Sequence, residues 1–163
     1  MTPSIRPAVA DDHDAVVELA LRAWAPVFPS VNDVLGPELA MLLHGQDWRE
    51  HQSREVREAL ASASTQVWVA EADATLVGFA GARVVDLERL IGEVYIVGVD
   101  PGAQHQGVGT TLTEHHAGQW LREQGMRVAL ISTGGDSGHL PARRLYERLG
   151  YRLFPSAQYF KVL

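Results

Sequence analysis

The chain has no cysteine. Disulfides, thiolate nucleophiles and cysteine-based zinc sites are excluded together, and the composition fits a reducing, cytoplasmic setting. The opening residues, Met1-Thr2-Pro3-Ser4-Ile5-Arg6-Pro7, lack the apolar core of a secretory signal. Nowhere does an apolar run approach the roughly 18–20 residues needed to cross a bilayer, so no membrane partner is expected. Repeats, low-complexity tracts and linkers are missing as well, and the 163 residues read as one domain, 1–163. Clustered positive charge is lacking too. The formal net charge of -6 argues against nucleic acid and leans towards a cationic substrate. Histidines are present, but none has metal-ligand spacing. His115 and His116 are adjacent, and neighbours on a helix project about 100° apart.

What remains is an ordinary globular composition, 46% apolar and 21% charged. Ser4 to Ala8 reads as a first strand. Asp11 or Asp12 caps a helix to about Ala25, with Val16, Leu19, Ala20 and Ala23 on one face, ended or bent by Pro26. Phe28 to Leu35 is rich in turn formers. Helix resumes from Pro37 to Leu43 and again from about Trp48 to Ala63. Gln66–Glu71 and Leu76–Val85 then form an antiparallel hairpin around Ala72-Asp73-Ala74.

The next segment is the most informative. Gly92 to Val99 reads as a strand, followed by Asp100-Pro101 and then Gln104-His105-Gln106-Gly107-Val108-Gly109, where a helix begins and runs to about Gln124. Two glycines at a strand-to-helix junction leave backbone N–H groups unobstructed at the positive end of a helix dipole. That is a site for phosphate or pyrophosphate. Val128–Ser132 follows as a buried strand by its continuous apolar run. Pro141 opens a last helix stopped by Gly150, and Tyr151–Phe154 with Tyr159–Val162 form a closing hairpin. The strand–helix–strand unit around Gly107 calls for two parallel strands within a mixed α/β layout.

Gln-x-x-Gly-x-Gly after Val-x-Pro resembles the acyl-CoA pyrophosphate loop of the GNAT acetyltransferase superfamily. A second block, Ala142 to Tyr151, is similar to the family helix that ends in Tyr-x-x-x-Gly-aromatic. The resemblance implies an α+β fold with a largely antiparallel sheet of six to seven strands flanked by helices. It also implies acetyl-CoA as cosubstrate, held where the strand before the loop splays from the strand after it. Phosphate contacts fall to His105, Gln106, Gly107, Val108, Gly109 and Thr110, mostly through their amides, while Gln104 shapes the loop. Val97, Gly98 and Val99 lie on the cofactor strand, with Val97 and Val99 lending backbone groups to the pantetheine arm. His139 stands seven residues before Tyr146, where many relatives carry an Asn that helps hold the cofactor. Arg122, Arg143, Arg144 and Arg148 are candidates for local positive potential, against a reading as solvated helix faces.

The activity implied is direct transfer of an acetyl group to a primary amine in a ternary complex. An amine with pKa near 10.4 costs roughly 4–5 kcal/mol to neutralise at pH 7, which a modest base can supply. Glu93 is the candidate base, with alternation placing it on one face with Tyr95 and Val97. Tyr146 matches the tyrosine that protonates the departing thiolate, and otherwise reads as a core tyrosine sharing a face with Ala142, Leu145 and Leu149.

Two further patterns lead nowhere. Gly135-Asp136-Ser137-Gly138 echoes a serine-protease loop in a chain too short for that two-barrel fold, and Gly107–Thr111 lacks the Gly-Lys-Ser/Thr of a nucleotide P-loop. The alternative from another class is a non-catalytic acyl-CoA-sensing module; longer acyl donors are an alternative within enzymes. Trp24, Phe28, Asp33 and Glu38 are read as an aromatic, anionic acceptor pocket, or as packing at helix ends. Peptide N-termini, lysines, polyamines, aminoglycosides and small metabolite amines all remain as acceptors. The terminal strand ending at Leu163 is a candidate for pairing across a homodimer.

Overall fold

The structure is a computed structural model and describes residues 3–163. Five strands form one sheet in the order β1 (Ser4–Pro7), β2 (Thr65–Ala72), β3 (Thr75–Asp86), β4 (Ile91–Val99) and β5 (Val128–Ile131). The first three junctions are antiparallel; β5 lies parallel to β4, as the intervening helix requires.

Helices cover both faces. A 3₁₀ turn at Ala10–Asp12 leads into α1 (His13–Trp24), which packs with α4 (Trp48–Ala61) on one face. There Val16, Val17, Leu19, Ala20 and Val56 meet Val69 and Phe79 of the sheet. The spacing of the apolar residues of α1 is that of a helix with one buried stripe. On the other face lies α5, which starts at Val108–Thr110, passes through a π-helical stretch at Thr111–Gly118 and ends over Gln119–Glu123. Its Val108, Leu112, Ala117 and Leu121 pack on Trp68, Ala80, Ala82 and Val94.

Three expectations fail. Residues Phe28–Leu35 form a helix, α2, followed by α3 (Pro37–His44). Pro29 is harmless in a first turn, and the Phe28 ring, stacked on Trp48 at 3.9 Å, supplies packing that outweighs the turn-forming Ser30, Asn32 and Asp33. The sheet has five strands and not six to seven, because residues 151–163 contribute none. Phe154 and Tyr159 stand 86% and 93% exposed, so neither a closing hairpin nor a strand edge for a homodimer is formed by this segment. β5 consequently lies at an edge. Val128 and Leu130 face out while Ala129 and Ile131 pack inward, which replaces the fully buried strand with an alternating one.

The feature that positions the site is on β4. Gly81 pairs with Ile96 and Ala82 with Val94, leaving Tyr95 as the extra residue of a β-bulge. β5 pairs with β4 only from Ile91 to Val94, so its partnership ends where the bulge begins. A bulge bends and twists the strand that carries it. The two parallel strands therefore part beyond Val94.

Candidate functional site

The gap between the parted strands is a cleft of about 530 Å³. Its floor is the second half of β4. Asp100 donates its amide to the Val77 carbonyl of β3 at 2.9 Å, so alternation turns the backbones of Val99 and Val97 towards the gap. Their carbonyls accept from side chains: Trp24 Nε1 reaches Val97 at 3.2 Å and Gln104 Nε2 reaches Val99 at 3.3 Å. Gly98 takes the opposite orientation and pairs with Phe79. The Phe79 ring fills the place of a Cβ on Gly98, so packing requires this glycine, which also lines the cleft.

One end of the cleft is the strand-to-helix turn. Asp100 fixes it by accepting from the Gly102 amide at 3.0 Å and from Arg22 Nε at 3.0 Å. The amide first, and then the guanidinium, hold the Asp100 carboxyl below the usual carboxylate range. Gln104 ties the turn down as expected, and Gln106 Nε2 donates to the Gly102 carbonyl at 3.1 Å. His105 and Gly107 have φ of 61° and 84°, and Gly107 caps α5 in the left-handed region that only glycine enters freely. The first bond of the α5 ladder runs from Thr111 to the Gly107 carbonyl at 3.0 Å, so the amides of Val108, Gly109 and Thr110 precede it. His105, Gly107, Gly109 and Thr110 line the cleft. The Val108 side chain is core, leaving only its amide for a ligand, and Gln106 lies outside the lining.

The far wall is the last helix, α6 (Leu140–Arg148). It approaches the turn closely enough that a Cβ on Gly109 would stand 3.1 Å from Leu145. Tyr146 lines the cleft and Arg148 does so at its rim. Burial first, with Tyr151 nearby, pushes the Tyr146 hydroxyl up to about 12. No protein group among the described residues hydrogen-bonds that hydroxyl, against its reading as a satisfied core tyrosine. The other arginines are occupied or solvated. Arg122 pairs with Glu114 at 2.9 Å, Arg143 bonds the carbonyls of Gly134 and Asp136, and Arg144 is exposed.

The cleft thus sets a turn whose amides open a helix beside a parted pair of parallel strands, with a tyrosine on the opposite wall. Residues 30–151 match the profile of the acetyltransferase (GNAT) family. The chain belongs to that family.

Among curated relatives, a mycothiol acetyltransferase of Saccharomonospora viridis is 36% identical over 120 residues, covering 64% of this chain and 38% of the relative. One from Pseudarthrobacter chlorophenolicus is 30% identical over 180 residues, covering 86% and 54%. The chain thus spans well under two thirds of these relatives' lengths. The fold matches an aminoglycoside N-acetyltransferase in complex with CoA, with a TM-score of 0.68 at 15% identity over 98% of this chain and 94% of that one. It also matches the PaiA N-acetyltransferase of Thermoplasma acidophilum in complex with coenzyme A, with a TM-score of 0.64 at 17% identity over 91% and 89%.

Within this GNAT chain the structure does not bring Glu93 to the cleft. Its carboxylate lies against Arg83, and the bulge at Tyr95 breaks the alternation that put Val97 on the same face. Glu93 and Tyr95 share a face with Arg83, whereas Val97 packs with Val94 and α5 on the other. Asp33 and Glu38 are exposed and outside the cleft, while Trp24 and Phe28 line it. Among the described lining residues none is a carboxylate. His44 of α3 also contributes, with its pKa lowered by burial first and by His51, and with its Nδ1 buried without a partner. His139 lines the cleft too, bound to Asp136. Sequence reasoning missed this partnership. Its only signal was an Asp-x-x-His spacing at a helix start.

Proposed function

We propose that this protein is an acetyl-CoA-dependent N-acetyltransferase that moves the acetyl group directly to a primary amine. The observation that carries this reading is the cleft itself. It joins the free amides of the turn at residues 105–110 to the Tyr146 hydroxyl along a strand whose backbone faces the gap. The residues fit the cosubstrate: amides at a helix N-terminus suit a diphosphate, and the Val97 and Val99 edges suit an extended amide-bearing arm. When bound, acetyl-CoA supplies the activated thioester. The turn binds and orients it, Trp24 and Phe28 exclude water, and Tyr146 holds a proton at its hydroxyl.

Tyr146 is the proton donor in this reading. Its raised pKa keeps it protonated throughout the neutral range, and the burial that raises it would also raise the basicity of a thiolate placed beside it. On the acceptor side, apolar and aromatic walls without a carboxylate support a single amine beside an apolar group better than a polycation.

Calorimetric titration with acetyl-CoA, followed by an amine panel assayed for free thiol, tests the proposal. Binding together with acceptor-dependent thiol release is expected. Binding without release on any amine would overturn the catalytic reading in favour of an acyl-CoA-sensing module, and no binding would overturn both.

A further inference from the structure

The loop between β5 and α6 is built around one imidazole. Asp136 opens the 3₁₀ turn Ser137–His139, and its Oδ2 accepts from the Gly138 amide at 3.1 Å. Ser30, reaching over from α2, donates to the same oxygen at 2.7 Å and accepts from the Gly138 amide at 3.0 Å. Ser137 adds a hydroxyl contact to Ser30 at 3.1 Å. Arg143 of α6 donates to the carbonyls of Gly134 and Asp136, each at 2.7 Å. The His139 ring occupies the space that a Cβ on Gly134 would need. The remaining carboxylate oxygen, Oδ1, meets His139 Nδ1 at 2.5 Å.

A carboxylate on Nδ1 fixes the tautomer, because an ionised carboxylate only accepts. Burial works to raise the Asp136 pKa, but the Ser30 hydroxyl and the His139 imidazole outweigh it, and the carboxyl stays below its ordinary range. Nδ1 therefore carries the hydrogen, and Nε2, on the other edge of the ring, keeps a lone pair. His139 is partly exposed and lines the same cleft as Tyr146 and Phe28. The Asp136 carboxylate behind it is 10% exposed and holds the ring in place.

We propose that His139 Nε2 is the general base that takes the proton from the acceptor amine, with Asp136 as its positioning residue. This rests on the function proposed above and supplies the group that Glu93, held by Arg83 away from the cleft, does not. The ammonium gives one proton to Nε2, and the neutral nitrogen attacks the thioester carbonyl. The C–N bond forms and the C–S bond breaks, and the sulfur takes the Tyr146 proton. The nitrogen loses its second proton as the amide forms, which returns the tyrosine to its hydroxyl form through solvent, and His139 releases its own proton to water.

Among the described residues, the charged and titratable groups near the ring or along its cleft are Asp136 on its own loop, Arg143, Tyr146 and Arg148 of α6, Tyr95 of β4, and His44 and His105 on the cleft's other walls. Asp136 alone is in hydrogen-bond contact with it.

The test compares the wild-type protein with His139→Asn, the residue type that would serve if the position merely held the cofactor, and with Asp136→Asn. For His139→Asn the expected result is a loss of about 10²-fold or more in kcat/KM near neutral pH. Acetyl-CoA Kd should stay at the wild-type value, and activity should recover as pH rises towards the amine's own pKa. Asp136→Asn should lower kcat and move the acid limb of the profile, with partial rescue by Asp136→Glu. Nitrogen NMR of the free protein gives a readout apart from turnover: the His139 ring should carry its hydrogen on Nδ1 in the wild type and lose that preference in Asp136→Asn. A wild-type rate and profile in His139→Asn overturns the inference alone, as does a rise in acetyl-CoA Kd that accounts for the whole rate loss. Absence of turnover in the wild type on every amine removes the proposed function, and this inference with it.

Discussion

Arg83 grips Glu93 with two nitrogens, Nε at 2.8 Å and Nη2 at 2.7 Å, on one carboxylate oxygen. The same guanidinium lies 3.7 Å from the centre of the Tyr95 ring. One side chain of β3 therefore clamps β4 immediately before its bulge and at the bulge itself. The clamp braces the point where β4 and β5 part, which is the point where the cleft begins. Its partners are side by side in register, Arg83 opposite Glu93.

Glu93→Gln removes the charge from this clamp and leaves a neutral acceptor. A hydrogen bond to a charged group is worth about 1.5–3 kcal/mol, discounted here because Arg83 reaches solvent, so a loss of about 1–2 kcal/mol is expected. Denaturant unfolding measures it. The pH–rate profile should keep its wild-type shape; a missing acid limb would return Glu93 to the chemistry.

Tyr146→Phe should lower kcat by about 10²-fold while acetyl-CoA affinity measured by calorimetry is retained. Because burial holds the Tyr146 hydroxyl protonated up to about 12, its ionisation should produce no alkaline fall in rate below that region. An unchanged kcat would remove the tyrosine from proton transfer.

The two turn glycines should fail differently. A Cβ on Gly107 meets nothing within 4 Å, so Gly107→Ala costs only the left-handed backbone, about 1–2 kcal/mol of stability. Gly109→Val meets Leu145 and Val99 and pushes α6 from the turn, so acetyl-CoA Kd should rise by more than about tenfold, a factor worth 1.4 kcal/mol. Equal effects of the two substitutions on Kd would contradict this division.

Acid stability should depend on Asp12. Arg6 binds its carboxylate at 2.7 and 2.9 Å, and the Val9 amide adds a bond at 2.8 Å. The Arg6 hydrogen bond foremost holds the Asp12 pKa below its ordinary value, although burial opposes it. A depressed folded pKa contributes stability that is present above the unfolded value, about 3.9, and is lost as pH falls through the folded one. Asp12→Asn should lower the melting temperature at pH 7 and flatten its decline below about pH 4. An identical decline in variant and wild type would show that other carboxylates set it.

In an acceptor panel, amines with one positive charge and an apolar neighbour should turn over faster than aminoglycosides or polyamines. The cleft offers an incoming polycation no carboxylate among its described lining residues. A higher kcat/KM for the polycations, measured by thiol release, would reverse that order.

Much of the architecture was readable because it rests on local rules. The stripe of Val16, Leu19 and Ala20 marks a helix that buries one face, and the short loop at Ala72-Asp73-Ala74 fixes a hairpin. Gly107 announces itself because the turn demands a positive φ. What could not be read depended on distant partners. Phe28–Leu35 is helical because Phe28 finds Trp48, 20 positions on in the chain. Glu93 looked free because nothing in β4 names Arg83. The alternation that aligned it with Val97 fails at a single bulged residue.

The chain order of β1 to β5 with α1, α3, α4, α5 and α6, the glycine turn before α5 and the tyrosine on the last helix were determined by sequence, since each follows from periodicity, glycine placement or a motif. Tertiary structure alone decided that Glu93 is tied up and that Ser30 braces the carboxylate holding the His139 imidazole. Arg83 reaches Glu93 across a strand pair, and Ser30 reaches Asp136 over 106 positions of chain. Hydrogen bonds and charge act over a few ångströms of space, and separation along the chain carries no record of that distance.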